Sequence, residues 1–310
     1  MPLLATPPVA ATAARAMQAA VRLADRYGRR GPGAVAARRF PEHPRNASVV
    51  TVPTTVAPAR AAVYRPPGEE DTALPVHVNF HGGGFVLPLT AMDDAFCRFL
   101  AAEAGVVVVN VDYVLAPQHP FPAPVHQAYE VVRRVAESGA EHGWDGGRLT
   151  VGGHSAGGSL AAAVSRLAFE KGGPEIALQV LHYPALDLAT GSRAKPAAVP
   201  RPALRPWQCD VFNGSYTPDP RLRTDRLASP AHPADTADLR GIAPAVIVTA
   251  EHDLLHDEAV RYAERLRSVD ALVEHHDVPG VDHGYDVRDE ALAREVYALM
   301  ARRVREAAKA

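Results

Sequence analysis

Cysteine is scarce in this chain: two among 310 residues, Cys97 and Cys209, far apart and without a CxxC or zinc-type spacing. That excludes a disulfide-stapled scaffold and a cysteine-built metal centre, and two free thiols in a reduced cytoplasm are expected. Long apolar runs are also missing. No stretch reaches a length that spans a bilayer. Near the N-terminus Pro7-Pro8, Arg15 and Gln18 break what would have to be the apolar run of a signal peptide, and no basic segment precedes it. Neither sign of charge dominates: Lys+Arg 33 against Asp+Glu 35 give a net charge of -2, which offers no electrostatic ground for binding nucleic acid or a membrane. No internal repeat occurs at solenoid or propeller periods. The histidines number 14 but are scattered, and the neighbours His275 and His276 point to opposite faces of a strand, so no metal site is expected. What is present is an ordinary globular composition, 47% apolar and 22% charged, with length enough for one large α/β domain or two small ones and a small-molecule partner.

In chain order, apolar residues at Ala13, Met17, Ala20, Val21, Ala24 and Tyr27 predict an amphipathic helix over Thr12 to Tyr27, ended by Gly28, Gly31, Pro32 and Gly33. The stretch to Pro44 is too rich in arginine and proline for a strand, and it reads as peripheral to the core. Runs at Ser48 to Thr55 and Ala59 to Tyr64 predict an antiparallel edge pair. From Leu74 strands alternate with helices. Strands are expected at Val76 to Phe80, Val106 to Val111, Leu149 to Val151, Ala177 to His182, Ala245 to Thr249 and Leu272 to Val278. Helices are expected near Asp93 to Glu103, Ala123 to Ser138, Ser155 to Phe169, Asp257 to Arg267 and Glu290 to Arg305. Such alternation predicts a mostly parallel central sheet flanked by helices. It fails between Asp187 and Ala243, which is too long for an ordinary connection and reads as a cap insertion. The expected organisation is therefore N-terminal cap helices at 1–46, a core at 47–186, the cap insertion at 187–243, and the rest of the core at 244–310.

The chemistry gathers in three places. Leu149-Thr150-Val151-Gly152-Gly153-His154-Ser155-Ala156-Gly157-Gly158 runs from an apolar strand into an alanine-rich helix. The pattern Gly153-x-Ser155-x-Gly157 suits a strained strand-to-helix turn that lifts the Ser155 hydroxyl out of the sheet as a nucleophile, with no room for side chains at Gly153 and Gly157. His81-Gly82-Gly83-Gly84-Phe85 follows a strand directly. Its glycines allow Gly83 and Gly84 to turn their N–H groups toward a substrate oxygen, with Ala156 at the helix start as a third donor of this oxyanion hole, while His81 and Gly82 brace the loop. A nucleophile of this type is followed in the chain first by its acid and then by its histidine. Asp253 after one late strand and His283 after the next are chosen for those roles. Asp257, Glu258 and Asp282 are rival acids, and Glu251 is expected to brace the loop. His154 is expected to pack or to make a surface hydrogen bond rather than act as base, and Trp207 and Phe212 lean toward cap core over substrate wall.

These blocks resemble those of the bacterial hormone-sensitive-lipase-like (family IV) carboxylesterases of the α/β-hydrolase fold, from about residue 48 onward. The glycine loop at His81, the block from Asp112 to Ala123, Gly153-His154-Ser155-Ala156-Gly157-Gly158, the acid block from Asp253 to Glu258 and His283-Gly284-Tyr285 all agree in order and spacing. The resemblance implies an α/β-hydrolase fold with a helical cap and a pocket for esters of short to medium acyl chains; it also suggests a homodimer. The departures are His154 where the family usually has Asp or Thr, Gln118 where it usually has Glu, and Leu254 where it usually has Pro. The expectation is thus a cofactor-independent ester hydrolase acting through an acyl-enzyme on Ser155. The alternatives are an amide or carbamate hydrolase, or a non-catalytic small-ligand receptor on the same fold, against which the retained His283 argues.

Overall fold

The computed structural model describes residues 2–27, 31–68, 73–196 and 198–309. Helix α1 (Pro7–Tyr27) begins five residues earlier than the periodicity suggests. Pro7 and Pro8 occupy its first turn, where the missing N–H groups have no intrahelical partner to lose. Its buried face runs through Ala10, Ala14 and Gln18, while Ala20, Ala24 and Tyr27 are exposed. Gly28 lies outside the described residues. A short helix, α2 (Pro32–Ala36), follows. The segment after it is not peripheral: Phe40 is fully buried between Phe99 and Tyr297, and the buried Arg98 donates to the carbonyls of Ala36, Arg39 and Phe40.

Strands β1 (Ala47–Val52) and β2 (Ala59–Tyr64) form the expected antiparallel pair at one edge. The alternating part then runs β3 (Leu74–Phe80), a 3-10 turn (Thr90–Asp93), α3 (Asp94–Ala104), β4 (Val107–Asp112), α4 (Ala123–Glu137), α5 (Gly139–His142), β5 (Trp144–His154), α6 (Ala156–Lys171) and β6 (Leu178–His182). After the insertion, with its helix α7 (Pro206–Tyr216) and a 3-10 turn (Pro220–Thr224), come β7 (Ala245–Ala250), α8 (His256–Arg267), β8 (Leu272–Val278), α9 (Tyr285–Arg288) and α10 (Glu290–Ala307). The eight strands form one sheet in the order β1-β2-β4-β3-β5-β6-β7-β8, parallel from β4 to β8. This is the α/β-hydrolase fold. Strand β5 is longer than expected because it starts before Gly146-Gly147; the pairing with β3 shifts register there, and that irregularity hides the strand from a search for alternation.

Each face of the sheet has its own core. On one side Val76, Val78 and Phe80 meet apolar residues of α4, α6 and α8; on the other Val108, Val180 and Val246 meet α3 and α10. Alternation along the strands assigns each residue to a face. Wholly buried strands such as β7 need helices on both sides, because either face alone would stay wet. On the α3 and α10 side the strands also carry buried polar residues, with Asn79 donating to Asp93 and to Asn110. Helix α1 packs on α7, and the second half of the insertion sends Leu227, Ala228, Ala231, Leu239 and Ile242 into the main core. Among the described residues no helix is long and apolar enough to cross a membrane.

Candidate active site

Ser155 sits between the last residue of β5 and the first of α6 with φ 55 and ψ -116, a left-handed conformation that a serine adopts only where its surroundings impose it. Its N–H donates to the His182 carbonyl at 2.9 Å, and its own carbonyl accepts from Ser159 and Ala185. The flanking glycines are a packing necessity. A Cβ on Gly153 would lie 2.4 Å from the Phe80 carbonyl oxygen, and one on Gly157 would lie 1.8 Å from the same atom. Phe80 ends β3, so the absence of these side chains is what lets the elbow approach the glycine loop that leaves β3.

In that loop Gly83 has φ 112 and Gly84 φ 61, both in the region that favours glycine. The Gly83 carbonyl accepts from Val86 and Leu87, which turns the loop back on itself. His81 lies behind it: Nδ1 is 2.7 Å from the Gly82 carbonyl, the ring stacks on Tyr113 at 4.4 Å, and the Tyr113 hydroxyl donates to the His81 carbonyl. Ala156 is fully buried at the head of α6, where unpaired backbone N–H groups and the helix dipole favour negative charge.

His283 Nδ1 is 2.7 Å from Asp253 Oδ2. A carboxylate only accepts, so Nδ1 carries the proton and Nε2 is left free to take one. Burial by itself pushes the pKa of this imidazole down, but the Asp253 charge and hydrogen bond outweigh it and hold the pKa above the usual value. Asp253 is buried, and its other oxygen accepts from the Leu255 N–H at 3.0 Å. The rival acids point elsewhere. Asp257 is exposed and beside His256. Glu258 is buried and accepts from the N–H groups of Leu186 and Asp187 and from Lys195. Asp282 accepts from the N–H groups of His283 and Ala203. Glu251 accepts from the Gly280 N–H at 2.6 Å, tying together the loops that carry Asp253 and His283.

Ser155, His283, Gly83 and Gly84 all border one cavity of about 260 Å³. Its other walls are apolar and come largely from the insertion and from the segment after the glycine loop, including Leu87, Leu188, Leu204 and Phe212. Phe212 also belongs to the main core, but its ring covers Gly84 and faces the cavity; a Cβ on Gly84 would be 2.3 Å from it. It is therefore cavity wall as well as core, and Trp207, at 42% exposure, is neither. Gln118 exchanges amide hydrogen bonds with Gln18, which also donates to the Val86 and Ala116 carbonyls, so α1 is pinned to the loop beside the cavity.

His154 is not at the surface. It is buried behind the nucleophile with Asp93 and Asp286 as neighbours. Sequence reasoning missed this cluster, together with His182, Tyr183, Tyr285 and Tyr297 around it; the one available signal was the position of Asp286 three residues after His283. Donor atoms of His154, His182 and Asp286 lie within 4.8 Å of one another, the only such group among the described residues. Part of the cluster is satisfied within this chain: Asp286 accepts from the hydroxyls of Tyr183 and Tyr297, and His182 Nε2 meets the Tyr285 hydroxyl, whereas His182 Nδ1 and both ring nitrogens of His154 make no hydrogen bond. We assign no metal to it.

A family profile described as the α/β-hydrolase fold matches residues 77–287. Esterase LipI of Mycobacterium tuberculosis is 37% identical over 251 residues, covering 80% of this chain and 77% of that protein. Carboxylesterase NlhH of the same organism is 39% identical over 225 residues, covering 72% of this chain and 70% of that protein. Among solved structures, the hyperthermophilic esterase from Pyrobaculum calidifontis superposes with a TM-score of 0.81 at 33% identity, over 97% of this chain and 94% of that one. The carboxylesterase EstE1, cloned from a metagenomic library, gives 0.81 at 32% identity over 99% of both chains.

Proposed function

The chain belongs to the hormone-sensitive-lipase-like branch of the α/β-hydrolase fold family, and from that premise we propose that it hydrolyses carboxylic esters of short to medium acyl chains, with Ser155 as nucleophile, His283 as base and Asp253 as its acid. The observation that carries this reading is the Asp253–His283 pair, whose tautomer leaves Nε2 free in the cavity that Ser155 borders. Ser155 Oγ attacks the ester carbonyl carbon while His283 Nε2 takes the hydroxyl proton. The carbonyl oxygen becomes an oxyanion facing the N–H groups of Gly83, Gly84 and Ala156, each worth about 2–4 kcal/mol in the transition state. His283 then gives its proton to the departing alkoxide, leaving an acyl-Ser155. A water deprotonated by His283 attacks the acyl carbon, and the carboxylic acid leaves as Ser155 regains its proton. Asp253 holds the imidazole in place and stabilises the imidazolium in both halves.

A cavity of about 260 Å³ with leucine and phenylalanine walls supports the acyl-chain range. The packing of α1 on α7 above the glycine loop supports a cap made from α1 and the first part of the insertion, whereas the Phe40 segment within 1–46 and the residues from Leu227 to Ile242 within 187–243 pack into the core. Hydrolysis of a p-nitrophenyl ester series, from acetate to palmitate, tests the reading, with the matching anilides run alongside. Turnover that peaks at short or medium chains and exceeds that of the anilides is expected. Failure to turn over any ester, in folded protein that binds them, would contradict it.

A further inference from the structure

The position before the nucleophile carries a second piece of machinery. Each ring nitrogen of His154 has a carboxylate as its polar neighbour: Nδ1 is 3.4 Å from Asp93 Oδ2, and Nε2 is 4.0 Å from Asp286 Oδ2. These distances are long for hydrogen bonds, and neither nitrogen has another partner. The ring is buried and meets the Phe96 ring nearly at right angles, 4.6 Å between centroids. A neutral imidazole has one N–H and one lone pair, so it would set that lone pair against an acceptor-only carboxylate. An imidazolium presents N–H to both. It also places one positive charge between two buried carboxylates, which need compensation at that depth.

The three residues come from the three segments that carry the reaction. Asp93 ends the 3-10 turn that follows the glycine loop, His154 immediately precedes Ser155, and Asp286 lies three residues beyond His283 in α9. The clamp is braced from outside: Asn79 donates to Asp93, and the Tyr183 and Tyr297 hydroxyls donate to Asp286. Tyr183 in turn packs on the His283 ring at 4.7 Å between centroids. We propose that His154 is a positioning residue, an imidazolium clamped between Asp93 and Asp286 that fixes the oxyanion loop, the nucleophile elbow and the base loop relative to one another.

The other titratable and charged groups facing this ring are consistent with one cation there. His182 and His77 are buried, and burial, followed by the charge on His154, pushes both pKa values down, so they stay neutral. Burial likewise pushes the His154 pKa down, but Asp93 and Asp286 outweigh it. Tyr183 and Tyr297 remain protonated donors. Arg39 borders a second cavity, lined also by Asp93, His154 and Asp286, and its guanidinium is 3.6 Å from Glu290.

The kinetic part of this inference rests on the esterase reading; the protonation part does not. Ring ¹⁵N–¹H correlation spectra of ¹⁵N-histidine-labelled wild-type protein at about pH 8 should show a histidine protonated on both nitrogens, assigned to His154 by its absence in His154→Asn. A single-tautomer pattern for His154 overturns the clamp. So does a stoichiometric metal that survives dialysis and whose chelation changes the His154 signals. In the esterase assay His154→Asn should lower kcat about 10- to 100-fold with KM within about threefold, since misplacement of catalytic groups costs that much. Its acid limb should move to higher pH, because Asp286 loses its cation and its negative charge then favours protonated His283. An unchanged kcat and limb overturn the positioning role. If the variant does not fold, through-space contacts between the ring protons and Phe96, 4.6 Å away between centroids, assign the signal, and the wild-type spectrum still decides the clamp. Absence of esterase turnover in the wild type would remove the esterase reading and leave the spectrum to stand by itself.

Discussion

One wall of the cavity is made of strand ends and the turns that leave them, and the other of α7 and the chain around it. On the strand side nearly every atom is over-determined. Gly153 and Gly157 have no space for a methyl group, Ser155 is held at positive φ by backbone hydrogen bonds to two neighbouring segments, and His283 has a single orientation against Asp253. On the insertion side the ties run largely through side chains: Lys195 to Glu258, the Ala203 N–H to Asp282, Arg265 to Asp235 and Arg226 to Glu170. The difference separates two tasks. On the proposed reading, chemistry needs fixed distances and belongs to the sheet, whereas choice among substrates needs only a wall of suitable shape and belongs to the insertion.

Substitutions sharpen that contrast, and the largest effects belong to the strand side. Ser155→Ala should lower kcat by about 10⁶, leaving only what the oxyanion donors and binding supply, as read by single-turnover hydrolysis of a p-nitrophenyl ester. A loss smaller than about a hundredfold would break the assignment. Asp253→Asn should cost about 10⁴. It should also move the acid limb of kcat/KM. The His283 pKa is raised in the wild type, and the base works only when deprotonated, so wild-type activity falls away below a point that lies above the ordinary histidine pKa of about 6.5. Without the Asp253 charge and hydrogen bond only Asp286 and Asp282 still oppose burial, so the limb should shift to lower pH. An unshifted limb would mean that another group controls it.

Gly157→Ala tests packing rather than chemistry. Its methyl group would meet the Phe80 carbonyl at 1.8 Å, a backbone atom that moves only with β3. A loss of about 3 kcal/mol in urea unfolding, with activity falling alongside, is expected. On the insertion side the expected effects are smaller. Phe212→Ala removes a ring that covers Gly84, and it should raise kcat/KM for longer acyl chains relative to acetate by about tenfold while leaving the acid limb in place. Trp207→Ala, at an exposed position, should change kcat/KM by less than about twofold. A strong effect at Trp207 together with none at Phe212 would reverse the picture of which residues of α7 form the wall.

The same contrast explains what was legible in the sequence. The elbow, the glycine loop and the order of strands could be read because chemistry and backbone geometry leave few residue types that fit. Asp253 could be chosen but not separated from Asp257, Glu258 and Asp282 by pattern alone; their separation depends on where three loops meet. The start of α1 was obscured by prolines that a first turn tolerates, and the start of β5 by the irregularity at Gly146-Gly147. The apolar residues from Leu227 to Ile242 enter the core without a helical or strand period, so nothing local marks them. His154, Asp93 and Asp286 are far apart in the chain, and their contact is a property of the folded sheet.

The central claim is that Ser155 forms the covalent intermediate, and the most direct test is mass spectrometry of protein treated with an active-site phosphonate ester such as a p-nitrophenyl alkylphosphonate. One adduct per chain is expected, on the peptide containing Ser155, with loss of ester hydrolysis in proportion to labelling. Full labelling at another residue, or hydrolysis that persists when Ser155 is fully modified, would contradict it.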